Sequence, residues 1–160
     1  MMRMALLSQL SRIHGIGLKI IGISFSDVLM AAATDRQRWF EVGSSLVAVD
    51  SLIHNLFHRT GILARWNSDH AYGPSCYGKG GCALIVDRLA RDIDARIYAP
   101  EFPCYFPRFI EHCLWAFSAE APLDICNGNA IDDTCRCKQR ECPIYMRCAR
   151  VALRPADQQP

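Results

Sequence analysis

The sequence predicts an all-α fold. Apolar residues recur at intervals of three and four in one stretch after another, as the buried stripe of a helix requires. No run alternates apolar and polar residues for long enough to form a sheet. Glycine and proline fall mainly between the periodic stretches, where they punctuate rather than interrupt.

Each helix follows from its own signals. Residues 4–13 (MALLSQLSRI) carry Leu6, Leu7, Leu10 and Ile13 at helical spacing, and Gly15 and Gly17 end the pattern. Residues 18–33 come next, with Ile20, Ile21, Phe25, Val28 and Leu29 suiting a mostly buried helix. Another helix begins at Arg36 and ends near Gly43. Asp50 opens a fourth, which runs to Thr60 on a stripe of Leu52, Ile53, Leu56 and Phe57 and stops at Gly61. Residues 64–81 read as loop, given Gly73, Pro74, Gly78, Gly80 and Gly81. Residues 82–93 form an amphipathic helix with Leu84, Ile85, Leu89 and Ile93 inward. Pro100 and Pro103 mark a loop, Pro107 suits a first helical turn, and residues 109–120 form a buried helix. Phe102, Tyr105, Phe106, Phe109 and Trp115 read as core.

With 160 residues, 51% of them hydrophobic and 21% charged, the chain can bury one real core. The net charge of +2 is too mild to argue for or against nucleic acid. No segment reaches the roughly 18 apolar residues of a membrane span. The best candidate, 19–34, is short and carries Asp27. The first residues lack the apolar region of a signal peptide. Five of the nine cysteines, Cys126, Cys135, Cys137, Cys142 and Cys148, crowd into 23 residues. Without an export signal such clusters more often bind metal than form disulfides, which places the chain in a reducing cytoplasm.

Two short stretches carry candidate chemistry. "RIHGIGLK", 12–19, joins two helices through glycines one residue apart, a turn that glycine's backbone freedom permits. Amides at the start of the following helix can hold a phosphate. In "SLVAVDSLIHNLFHRTGIL", 45–63, Asp50 sits where a helix N-cap belongs, accepting hydrogen bonds from backbone N–H groups. A carboxylate held there can also stabilise a cation developing on a bound substrate.

Taken in order, "IHGIGLK", "VAVDSLIHNLFHRTGIL" and the closing "CPIYMRC" resemble the helix-hairpin-helix DNA glycosylase superfamily, endonuclease III-like members in particular. Ile13, Gly15, Ile16, Gly17 and Lys19 match the family's hairpin. Val49, Asp50, Ser51, Ile53, Arg59, Gly61 and Ile62 match its acidic segment, and Cys142 and Cys148 have the C-x5-C spacing that ends its iron–sulfur loop. His14 stands where the family has proline, Leu52 where histidine is common, and about 31 residues separate Lys19 from Asp50, more than in the family.

The resemblance implies a helical glycosylase-like domain over 1–125, an iron–sulfur loop over 126–148 and a tail over 149–160. It covers the C-terminal half of such an enzyme, so an upstream segment or a partner chain would complete the barrel. It implies double-stranded DNA as partner and a damaged base flipped from the duplex. The backbone of Gly15, Ile16 and Gly17 would grip the strand. Asp50 would stabilise positive charge on the sugar, and Lys19 would attack C1′ in a bifunctional glycosylase with AP lyase activity. It also implies a [4Fe–4S] cluster on Cys126, Cys137, Cys142 and Cys148, with zinc the alternative for four thiolates. Cys135 competes with Cys137, since a C-x-C pair seldom gives two ligands to one cluster. Lys138 and Arg140 would add phosphate contacts beside it. Two other readings stand: a non-catalytic DNA-binding remnant of the superfamily, and a zinc-stabilised interaction protein unrelated to DNA.

A second cysteine pair, Cys76 and Cys82 in "CYGKGGC", is also spaced C-x5-C and lies near His70, but three donors fall short of a closed site. His54 and His58 lie one turn apart on the Asp50 helix, a spacing that can bind metal. They read instead as groove or surface residues.

Overall fold

The computed structural model describes residues 2–31, 36–119, 123–128 and 131–154. These form seven α-helices and two short 3-10 helices, and no strand occurs among the described residues. The helices are α1 (Met2–Leu10), α2 (Leu18–Ala31), α3 (Gln37–Ser45), α4 (Ser51–Thr60), α5 (Ile62–Arg65), α6 (Cys82–Asp92) and α7 (Pro107–Ser118). The 3-10 helices are Pro74–Tyr77 and Ala95–Ile97. No helix is long and apolar enough to cross a membrane. The expected helix residues 32, 33 and 120, the burial of Leu6 and the tail 155–160 lie outside the described residues.

The chain divides into two compact units. The first holds residues 1–49 and 83–112. In it α2 packs mainly on α3, and Leu29, Val42 and Leu46 form a buried cluster closed by Leu7, Phe25 and Trp39. A ring cluster of Phe40, Phe102, Phe106 and Phe109 has neighbouring centroids 5.2–6.1 Å apart, with Tyr98 against Phe109. These tilted and edge-on pairs suit the aromatic quadrupole. Pro107 begins α7 and is fully buried, its missing N–H harmless in a first turn.

Two expectations about facing are corrected here. Helix α2 is not mostly buried: Ile21 and Leu29 are inside, whereas Ile20 and Val28 are 47% and 62% exposed. An apolar helix turns only one stripe toward its neighbour, so its other apolar residues stay in solvent. In α6 the inward stripe is Ile85, Val86 and Ala90, and Leu84 is half exposed. The true stripe is rotated one position from the expected one.

The second unit holds residues 50–82 and 113–160. Its apolar centre is Leu56, Cys126 and Ile131, with Leu114, Phe117 and Cys137 against them. Helix α4 keeps the stripe expected of it, with Ile53, Leu56 and Phe57 buried. Asp50 caps it, its carboxylate accepting the Ile53 N–H at 3.0 Å. Gly61 ends it in the left-handed conformation (φ 77°), after which α5 restarts the chain for one turn. The chain returns at 149–151 onto the end of α4: Ala149 N–H donates to the Thr60 carbonyl (3.3 Å) and Val151 N–H to the Arg59 carbonyl (2.9 Å).

That close return makes Gly61 doubly restricted. A Cβ there would lie 2.7 Å from the Ala149 Cβ, and the positive φ strains any L side chain. Gly61→Ala should therefore cost about 1–3 kcal/mol, read as a lowered midpoint in chemical denaturation.

Candidate metal centres

The residues matched to a glycosylase fall as follows. The hairpin forms between α1 and α2, with Gly15 in the left-handed region (φ 83°) and Ile16 half-buried. Gly17 accepts the first intrahelical bond of α2 from Ile21 N–H (3.1 Å), and Lys19 is half-buried in that helix's first turn. Lys19 belongs to the first unit and Asp50 to the second, so neither unit by itself contains the pair.

Helix α4 supplies a residue to each of two ligand groups. Its His54, 6% exposed, comes together with His70, Cys76 and Cys82, and the four ligand atoms all lie within 4.8 Å of one another. The His54 Nδ1 is 3.4 Å from Cys82 Sγ and 3.6 Å from Cys76 Sγ, and His70 Nε2 is 3.4 Å from Cys82 Sγ. All nine cysteines are free thiols. Burial, then the neighbouring His70 and His58, pushes the His54 pKa down and keeps its imidazole neutral. Burial, then the nearby Cys76, pushes the Cys82 thiol far up, which disfavours a bare thiolate there. This His2Cys2 group can hold a metal ion and is compatible with zinc.

The loop that the sequence leaves without structure is what assembles the group. The 3-10 turn Pro74–Tyr77 carries the fully buried Cys76, and the chain then doubles back. At Gly81 a Cβ would sit 2.3 Å from the Ser75 carbonyl oxygen and 2.5 Å from that of Cys76. Only a residue without a side chain lets this backbone pass so close and set Cys82 beside Cys76.

The second group is the cysteine-rich segment. Cys126, Cys137, Cys142 and Cys148 line one cavity together with Arg59 and Arg150. Burial raises the Cys126 thiol to about 12; Arg59 opposes this, and Cys148, Cys142 and Cys137 add to it. Burial, and then Cys137 and Cys142, also push the Cys148 thiol up, against the Arg150 N–H. Cys135 does not line this cavity; it sits beside Asp132 in a neighbouring hollow with Arg136 and Lys138. Asp132 is in turn held by the Thr134 N–H (2.8 Å) and hydroxyl (2.7 Å). Lys138 and Arg140 are exposed.

Arg59 is 2% exposed and pairs with Asp133. Its Nε and Nη1, and the Nε of Arg150, are buried without a hydrogen-bond partner. The Arg150 N–H donates to Cys148 Sγ at 3.3 Å. Orphaned cationic donors around four thiols fit an anionic occupant of the cavity, as a cluster held by four thiolates would be.

No family model, curated protein or solved structure matches the chain.

The sequence reading placed Cys76, Cys82 and nearby His70 together as an incomplete second metal site and missed the fourth member: it paired His54 with His58 at helical spacing, whereas His54 joins His70 and the two cysteines. The available signal was His70-x5-Cys76-x5-Cys82, two equal intervals ending at a glycine-rich turn.

In reduced, metal-free protein, iodoacetamide should label exposed Cys104 well before Cys76, Cys82 or Cys126, as read by peptide mass spectrometry. Asp133→Ala leaves the Arg59 guanidinium buried and unpaired. It should lower stability by about 2–4 kcal/mol in denaturant titration, less than for a fully buried pair because Asp133 is partly exposed.

Proposed function

We propose that the chain is a helix-hairpin-helix DNA glycosylase acting on damaged bases in double-stranded DNA, with a [4Fe–4S] cluster on Cys126, Cys137, Cys142 and Cys148. One observation carries the reading. Those four cysteines, and not Cys135, line one cavity beside two arginines that keep buried donors without an acceptor, Nε and Nη1 of Arg59 and Nε of Arg150. The cavity abuts the C-terminal end of the same helix that Asp50 caps at its N-terminus.

When bound, the cluster supplies a structural cross-link among four distant points of a segment with almost no helix. The chain's own residues would do the rest. The hairpin of Gly15, Ile16 and Gly17 would hold a backbone phosphate, with Lys138 and Arg140 adding charge contacts. Asp50 would face the sugar of the flipped nucleotide. As the C1′–N bond breaks, its electron pair leaves with the base and positive charge grows on the sugar. The Asp50 carboxylate would stabilise that charge. Water then adds at C1′ and loses a proton. In the bifunctional case the Lys19 amine adds instead, and the Schiff base permits β-elimination of the 3′ phosphate.

Asp50→Asn keeps a good N-cap while removing the charge. Base release from lesion-bearing duplex should fall about 10²–10³-fold with duplex affinity retained. Undiminished base release would overturn the assignment of Asp50. Duplex binding with no base release by the wild type would leave the non-catalytic DNA-binding reading. Anaerobically purified protein should be brown and lose its colour in Cys137→Ser but not in Cys135→Ser.

A further inference from the structure

We infer that His54, His70, Cys76 and Cys82 form a resident structural zinc site, separate from the cysteine cavity and occupied whether or not that cavity holds a cluster. The inference does not rest on the DNA-repair reading.

The ligand spacing suits a tetrahedral zinc. With zinc–sulfur bonds of about 2.3 Å and zinc–nitrogen bonds of about 2.0–2.1 Å, a sulfur and a nitrogen on adjacent vertices lie about 3.6 Å apart. Three of the four sulfur–nitrogen separations here are 3.6, 3.4 and 3.4 Å, and all four ligand atoms lie within 4.8 Å of one another. Three of the four ligands are buried: His54 at 6%, Cys76 and Cys82 at 0%. A buried set of four protein donors leaves no coordination position for water, which marks a structural rather than a catalytic zinc.

The surroundings are set for a metal as well. His70 Nδ1 lies 2.5 Å from the Ser68 carbonyl oxygen. A carbonyl only accepts, so Nδ1 carries the proton and Nε2 presents its lone pair toward Cys82. This outer hydrogen bond to a backbone carbonyl is how metal-binding histidines are commonly oriented. On the far side, Gly81 lets the backbone cross the Ser75 and Cys76 carbonyls, as no other residue could without displacement.

The ligands come from four places: α4, the loop at 70, the 3-10 turn and the first residue of α6. Zinc would therefore close residues 54–82 into a ring and hold the loop against the helix that Asp50 caps. The His54 N–H already donates to the Asp50 carbonyl (3.2 Å), so fixing His54 fixes the turn that carries the Asp50 carboxylate.

The test is zinc-edge X-ray absorption on the full wild-type chain, purified and then equilibrated with zinc ion alone. The expected spectrum contains imidazole scattering together with sulfur, with at least one zinc per chain. A purely sulfur coordination sphere, or a chain that retains no zinc after desalting, would overturn the site. His70→Ala replaces the least buried ligand and should cut the imidazole contribution from two rings to one, or release the zinc itself; a spectrum unchanged from wild type would overturn it. Cys137→Ser, which disrupts the other cavity, should keep one zinc bound by nitrogen and sulfur. Loss of all zinc in that variant, with the chain still folded by circular dichroism, would place the metal in the wrong group.

Discussion

Helix α4 buries two side chains that a hydrophobic core would reject, and the second unit is organised around what they need. His54 and Arg59 are five residues apart, so they leave the helix in directions about 140° from each other. One meets two thiols and a second imidazole; the other meets Asp133 and the rim of a cavity lined by four cysteines. A neutral imidazole and a guanidinium tolerate burial only with such partners. Each half of the helix is thus tied to a different ligand group, while Ile53, Leu56 and Phe57 supply the apolar packing between them.

This arrangement substitutes for a larger core. The second unit draws on α4, the single turn of α5, the C-terminal part of α7 and long irregular segments on either side. Two members of one of its apolar clusters, Cys126 and Cys137, are candidate ligands themselves. Short units without enough apolar surface commonly rely on cross-links, and none of the cysteines here is paired. Metal bonds at two places would tie together segments that have few backbone ladders of their own. The first unit needs no such device: its helices and its phenylalanine cluster pack by burial alone.

If the chain does act on DNA, this division bears on how. The hairpin and Lys19 lie in the first unit, and Asp50 lies in the second, which carries both ligand groups. The acid would be positioned by coordination chemistry at both ends of its helix, whereas the hairpin would be positioned by packing of α2 on α3. Loss of metal and loss of the α2–α3 contact should then damage different steps, base release and strand grip respectively.

The sequence by itself determined the helices, because their signals are local. Asp50 as a cap, Gly61 as a stop and Pro107 as an opener each act within one or two turns, and all three stand where expected, whereas the expected first helix ends at Leu10, short of Ile13. The choice between Cys135 and Cys137 was left open by spacing; in the fold both border one hollow, and Cys137 alone of the two also lines the cavity with Cys126, Cys142 and Cys148. Which face of α2 and α6 is covered was not legible, because an apolar stripe shows that a neighbour exists but not its direction. His54's place beside Cys76, Cys82 and His70 was hidden for a related reason: the four ligands come from two helices, a loop and a 3-10 turn, and His54 lies 16 residues of chain before His70. Only the tertiary path, with Gly81 allowing the chain to cross over Cys76, brought His54 to the two thiols.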